Sequence, residues 1–558
     1  MNYKRLLTIS MIAASVATLQ AQSFETAQEA VTNMGVGWNL GNTLDATKWG
    51  QTQGWNWPSV TAHENEWGQP TTKPELLKMM KEAGFGAIRV PVTWFQEMDS
   101  NGKVKAEWMK RVHEVVDYVI NNGMYCILNV HHDTGEGEDH WLYANTTCYN
   151  NVKDTYQYLW QQIAAEFKDY DQKLLFESYN EMLDKYGSWN YAMSNRTGGY
   201  DETEAKDAYN AINQFAQLFV NTVRSSGGNN DKRNLVVNTY GACCGGKWGT
   251  NELPMEPLKQ MKLPTDMTTG HLIFQVHSYP ELKSNNLSSI KTQVTTMMSD
   301  LKTVLAAKGA PVIIGEWGTL NDDSDVNYAN NKTNYLDFCK HFVTEAKKND
   351  IATFYWMGLT DGVFRSQPLF SQPDLAETIV KAYYGTTEGF KFPTIEGGVD
   401  FICFEGEKAL DWGDGITIPA AAIAAFDKNV QMLVTYKITD SGSDIQLYDG
   451  TWKTKLKFYV DGTEYNADYN PKGSVDASET VSFTFSESVY NNLKTKGLII
   501  HGAKVTINKI VLKGEATGII PVFITPKSNN TIYNLKGQRV TNPQRGIYIR
   551  NGKKFVVK

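Results

Sequence analysis

An α/β fold, with a (β/α)8 barrel followed by an antiparallel β-sandwich and a short β-rich tail, is what this 558-residue sequence predicts. Three observations carry that expectation. The chain is about three to four times the length of a common domain, so a single core is not expected to hold it. From residue 35 to about 385 one unit recurs: a short apolar run, a polar loop, an amphipathic stretch. After Tyr384 the texture changes to alternating strands and turns, and 13 of the 15 tryptophans precede residue 385.

Taken in order, the chain opens on Lys4 and Arg5, a mostly apolar stretch from Leu6 to Leu19, and small Ala21 before Gln22. That order reads as a signal peptide over residues 1–21, so the mature protein is expected outside the cytoplasm. Eight apolar runs follow: GVGWNL from Gly35, AIRVP from Ala87, YCILNV from Tyr125, LLFESYNE from Leu174, NLVVNT from Asn234, LIFQVHSY from Leu272, PVIIGEW from Pro311 and ATFYW from Ala352. Short runs without clean alternation suit strands buried on both faces, as in a parallel sheet. Between them lie helical patterns. Thr72-Lys73-Pro74-Glu75 reads as a capping box opening a helix that stops at Gly84. Two further helices are expected to end at Gly123 and Gly309. Residues 22–385 therefore form the expected barrel domain. A doubly wound open sheet is the rival, weakened because no glycine-rich phosphate turn follows the first strand. Residues 392–514 alternate as an antiparallel sandwich does, with a turn at Asp461-Gly462, and 517–558 make a small module with a basic end.

Composition excludes several classes. Apolar residues make up 41% and charged residues 21%, the balance of a folded globular protein. A formal net charge of −7 argues against nucleic acid as partner. Six cysteines are too few for a disulfide scaffold. Cys126 reads as a packed thiol and Cys243-Cys244 as either a vicinal disulfide or two thiols. No apolar run after the N-terminus is long enough to span a bilayer.

In such barrels the reacting groups sit at the C-terminal ends of the strands. Those ends supply Asn39, Arg89, His131, Asn180, Glu181, His277, Tyr279, Glu316 and Trp356. Two carboxylates thus arrive from the fourth and seventh strands, the pair that glycoside hydrolysis requires. The His131-His132-Asp133 cluster suggests a metal site. Adjacent strand residues face opposite ways, however, so no metal is expected there. Glu177, inside the fourth strand, is expected to pair with Arg89.

All but Trp356 of these residues lie in GWNLGNTLDA, IRVPVTW, NVHHD, FESYNEM, QVHSYP and GEWG, which resemble the successive motifs of glycoside hydrolase family 5, the endoglucanase family. The resemblance runs from Gly35 to about Tyr384. It implies a barrel that cleaves β-1,4-linked glucans or mannans with retention of configuration and needs no cofactor. It implies Glu181 as acid/base and Glu316 as nucleophile. It places Arg89, His131, Asn180, His277, Tyr279 and Trp356 at the other active-site positions, with Asn39 and His132 beside them.

Loop tryptophans are candidates for further sugar contacts, with Trp49, Trp141 and Trp248 first, while others pin loops to the barrel. The sandwich resembles carbohydrate-binding or galactose-binding-like domains, and Trp412, Tyr448 and Trp452 are either its sugar platforms or core aromatics. The tail resembles C-terminal sorting segments of proteins exported by Bacteroidetes-type bacteria, implying export machinery as a partner. The expected activity is a secreted endo-β-1,4-glucanase acting on β-glucan polysaccharide. A β-mannanase, xyloglucanase or mixed-linkage glucanase, and a non-catalytic glycan-binding barrel, are the alternatives.

Overall fold

The computed structural model describes residues 24–48, 53–135, 140–189, 201–248, 251–253, 255–319, 331–395, 399–410, 415–466 and 468–515, with short strands between 532 and 557. The expected signal peptide, Trp49 and Trp412 lie outside the described residues, and of Trp248 only the backbone is described. The chain divides into two compact units, Met1–Thr394 and Ile395–Lys558.

In the first unit the eight apolar runs form eight parallel strands: Val36–Asn39, Ala87–Val90, Tyr125–Asn129, Leu174–Glu177, Leu235–Asn238, Leu272–Ser278, Val312–Trp317 and Ala352–Tyr355. Each pairs with the next in sequence, and the eighth closes on the first through Val36 opposite Thr353. The barrel predicted from the sequence is therefore present. Its strands are buried on both faces, which is why they read as apolar runs without alternation.

Ile127, Leu175, Val236, Ile273, Ile313 and Phe354 form an inward apolar cluster. The short helix Ala27–Asn33 adds Ala27, Ala30 and Val31 to that cluster, and its Thr26–Glu29 capping box is complete. Two residues further along the strands the inward positions turn polar, which starts the site described below.

One expectation is corrected. The helix Pro74–Glu82 is capped by Lys73 with no side-chain bond, and Thr72 takes no capping role. Its backbone N–H donates instead to Glu64 (2.7 Å), which Arg111 also holds. The expected glycine stops hold: Gly84, Gly123 and Gly309 all have positive φ, at 101°, 71° and 109°.

The second unit contains two four-stranded antiparallel sheets, in keeping with a β-sandwich. One comprises Phe401–Leu410, Val505–Lys513, Gln431–Ile438 and Ser478–Phe483. The other comprises Gly415–Ile418, Leu498–Ala503, Asp444–Asp449 and Asp468–Tyr469. Asp461 and Gly462 both have positive φ, 48° and 76°, the two-residue turn their sequence predicted. The helix Glu487–Lys496 was not anticipated. The last four strands, between Ile532 and Val557, form a further antiparallel sheet.

Candidate active site

Asn39, Arg89, Asn129, Glu177, Asn238 and Gln275 lie two residues beyond inward apolar or small positions on successive strands, and all are fully buried. Arg89 is the hub. It makes a bidentate pair with Glu177 (both contacts 2.7 Å), donates to Glu316 Oε1 (2.7 Å), and donates to the side-chain oxygens of Asn39 (3.0 Å) and Asn180 (2.8 Å). The Glu177–Arg89 pair is the one expected from the sequence. Burial pushes the Glu177 carboxyl up, but the Arg89 charge and hydrogen bonds more than offset it, leaving Glu177 below the usual range.

Glu316 reaches this hub through a defect in its strand. In the Val312–Trp317 strand Ile313 faces inward, so strict alternation would send Glu316 outward. The register against the sixth strand slips after Val276–Ile314, and His277 pairs with Glu316. The residue passed over is Gly315. A Cβ there would sit 2.3 Å from the Gln275 side chain, so glycine is what lets the bulge close over the polar layer. Tyr279 donates to Glu316 Oε2 at 2.7 Å. Burial raises the Glu316 carboxyl, while His277, Arg89 and the Tyr279 hydroxyl act to lower it and Glu181 to raise it.

Glu181 stands across the mouth, its side chain 20% exposed and so open to substrate, with Oε1 2.7 Å from His277 Nδ1. Burial raises its carboxyl to about 7, against the pull of Arg89. The negative charge of Glu177 adds to the shift. Burial also lowers His277 to about 4, so the ring is neutral at ordinary pH. Gln275 Nε2 lies 3.5 Å from His277 Nε2, which leaves the ring proton on Nδ1, facing Glu181.

Other predicted site residues lie around the same mouth. Trp356 lies parallel to His131 (centroids 5.9 Å, 6°), and a Cβ on Gly41 would meet its ring at 2.7 Å. Asn180 spends its oxygen on Arg89. His132 is 30% exposed and its ring lies 5.1 Å from that of Trp67.

Other placements are corrected. Asn39, expected to touch sugar, is fully buried, and its amide donates to the Gly315, Phe354 and Tyr355 carbonyls, so it braces Arg89. Arg89 is itself fully buried and holds carboxylates. Trp141 stacks on Phe95 (5.3 Å, 14°) and donates to Asp133, which pins its loop. Trp57 stacks on His63 and His63 on Trp108, also pinning a loop. Among the described tryptophans of the barrel loops, Trp67 is the exposed one, at 39%, beside His132. Asn129, Asn238 and Gln275 were not among the expected site residues, although the alternation from Ile127, Val236 and Ile273 points to them.

The histidine pair needs a further correction. His131 and His132 rings meet at 4.4 Å, because the third strand ends at Asn129 and alternation no longer applies. Among the described residues, two sets of donor atoms lie close enough to hold a metal ion, each within 4.8 Å: Asp45, His131 and His132, and Glu181, His277 and Glu316. Asp133 belongs to neither, since it accepts from the Trp94 and Phe95 amides. Asp45 likewise accepts from the Asn42 and Thr43 amides, and Glu316 is held by Arg89 and Tyr279. The acids of both sets are thus already engaged by hydrogen-bond donors.

Comparison with known proteins agrees with this geometry. Residues 46–360 match the cellulase family, glycosyl hydrolase family 5. Endoglucanase A of Paenibacillus barcinonensis is 32% identical over 358 residues, 59% of this chain and 82% of that protein. Endoglucanase A of Clostridium longisporum is 34% identical over 61% of this chain, and the match spans 60% of its own length. Among solved structures, a broad specificity endoglucanase from an uncultured bacterium is 55% identical with a TM-score of 0.62, covering 66% of this chain and 99% of that one. A family 5 enzyme of Prevotella bryantii, solved with a xyloglucan tetradecasaccharide, is 40% identical with a TM-score of 0.56, covering 64% of this chain and 99% of that one. No helix among the described residues is long and apolar enough to cross a membrane. Family match and barrel mouth agree: the chain belongs to glycosyl hydrolase family 5, the cellulase family, and its barrel is a glycoside hydrolase.

Proposed function

We propose that this chain is a secreted, retaining endo-β-1,4-glucanase. One observation carries the reading: Glu181 and Glu316 bring carboxylate oxygens within 4.8 Å of each other and of His277. Retaining glycosidases hold their carboxyl groups about 5–5.5 Å apart, and inverting ones about 6.5–9.5 Å to admit a water.

In the first step a Glu316 oxygen attacks the anomeric carbon. The glycosidic C–O bond breaks, and Glu181 gives its proton to the departing oxygen. His277 Nδ1–H occupies Glu181 Oε1, which leaves Oε2 to carry the transferred proton. With its oxygen held by Arg89, the Asn180 amide is turned to donate to the sugar 2-hydroxyl. Trp356 offers a flat face beneath the same sugar. In the second step Glu181, now ionised, takes a proton from water as its oxygen attacks the anomeric carbon. The ester to Glu316 breaks, and both carboxyls return to their starting states.

Relatives described as broad specificity endoglucanases, and one solved with a xyloglucan fragment, support a cleft that takes β-1,4-glucan backbones with or without branches. Lys4, Arg5 and the Leu6–Leu19 stretch support export, and the tail supports delivery by export machinery. The test is reducing-sugar release from carboxymethylcellulose, barley β-glucan, xyloglucan and glucomannan, by the native chain and by Glu316→Gln. Release from the glucans, reduced roughly a thousandfold or more in the variant, is expected. Release from glucomannan alone would make the protein a mannanase, and no release with binding retained would make it a glycan-binding barrel.

A further inference from the structure

We propose that the second unit carries a binding site for a single soluble β-glucan chain, built on Trp452 and Tyr448. Trp452 is 44% exposed, and its φ of 62° lies in the left-handed region that bulky residues rarely adopt. A tryptophan held in strain and left exposed is not explained by packing alone, and such outliers gather at functional sites. The strain is sustained by Asp449, which accepts from the Thr451 hydroxyl (2.7 Å) and the Lys453 amide (3.2 Å), while its carbonyl accepts from the Trp452 amide (3.0 Å). Beneath the indole lies Gly415, where a Cβ would come within 3.0 Å of the ring.

The neighbouring side chains belong to one sheet face. Gln446 and Tyr448 alternate with buried Ile445 and Leu447, and Gln446 pairs with His501 on one side and Asp468 on the other. The Tyr448 and Trp452 rings stand 5.4 Å apart, with His501 5.5 Å from Trp452. Around them lie hydrogen-bonding groups: Gln446 accepts from the Tyr448 hydroxyl (3.1 Å), and Lys455, above the Tyr448 ring, reaches Asp468 (3.2 Å). Flat apolar faces ringed by donors and acceptors match pyranose chemistry, in which C–H groups line one side of the ring and hydroxyls its edge. The two ring planes are inclined by 42°. A flat crystalline cellulose surface would need them coplanar, whereas a single twisting chain does not.

This inference rests on the reading that the barrel cuts β-glucans, which supplies the ligand class. The test uses the full mature chain and two separate readouts. One is retardation in native gels containing barley β-glucan or xyloglucan. The other is hydrolysis of cellopentaose, a short soluble oligosaccharide. Trp452→Gly suits the left-handed backbone, and Tyr448→Ala removes the second ring. Each variant is expected to lose at least fivefold in affinity for the polymer, to keep native cellopentaose turnover, and to keep the native near-ultraviolet spectrum of the remaining aromatics. Unchanged retardation in both variants would overturn the site. A loss confined to microcrystalline cellulose would overturn the single-chain assignment. If the native chain hydrolyses nothing while retardation still depends on Trp452, the proposed activity fails and the site stands.

Discussion

In the proposed mechanism Glu181 carries a proton when the first bond breaks, and burial holds its carboxyl up at about 7. Because the raised group works in its protonated form, kcat/KM should fall about tenfold per pH unit above that value. A substrate whose leaving group needs no proton separates the two carboxyls. With a 2,4-dinitrophenyl cellobioside, Glu181→Ala should still release a burst of phenolate, and Glu316→Ala should release none. A chelator should leave both activities of the native chain unchanged, and loss of activity would point to one of the two three-residue donor sets. The proposed catalytic pair was legible because two glutamates stood at strand ends inside specific motifs. The supporting amides Asn129, Asn238 and Gln275 were harder to read, since each is a lone polar residue in an apolar run and only the alternation from Ile127, Val236 and Ile273 marks it as inward. Asn39 was misassigned for a related reason. A sequence places a residue at the mouth of a barrel but does not say whether another side chain already covers it.

The seventh strand shows what happens when an element departs from its period. Alternation from Ile313 aims Glu316 outward, and only the slip at Gly315 turns it inward. Gly315→Ala should therefore cost more than a methyl group would elsewhere. The added Cβ meets buried Gln275 at 2.3 Å, so about 1–3 kcal/mol of stability should be lost. Turnover should fall by a larger factor than the lowered melting temperature explains, checked by kinetics below the transition. The eight strands themselves were plain in the sequence, as each is a short run bounded by polar loops. The cap of Pro74–Glu82 was not, because Thr72 had a competing partner in Glu64, eight positions earlier at the end of the short helix Val60–Glu64. In the second unit, Asp449 is held well below the usual carboxylate range, its burial outweighed by bonds from Thr451 and Lys496. A depressed carboxyl adds stability above its unfolded value of about 3.9, and that contribution is lost as pH falls. Asp449→Ala should lower the melting temperature at pH 7 and bring the variant and native curves together toward pH 2.

At the scale of the whole molecule, the solved relatives cover 99% of their own chains with 64–66% of this one. A barrel of this kind is thus a complete fold in them. A chain ended at Thr394 should keep cellopentaose turnover within about twofold of the full chain, measured at matched enzyme concentration. If it unfolds instead, the division into two units does not hold in solution. The barrel's polar layer has a consequence of its own. In the proposed mechanism Arg89 carries one positive charge, Glu177 and Glu316 one negative charge each, and Glu181 enters the first step neutral. The sum is 1 − 2 = −1, fixed by hydrogen bonds before substrate arrives. As the glycosidic bond stretches, the sugar ring becomes an oxocarbenium ion with positive charge shared between carbon and oxygen. The mouth of the barrel therefore acts as a ready-made counter-ion, opposite in sign to the fleeting cation and already stripped of the water that would otherwise have to reorient around it.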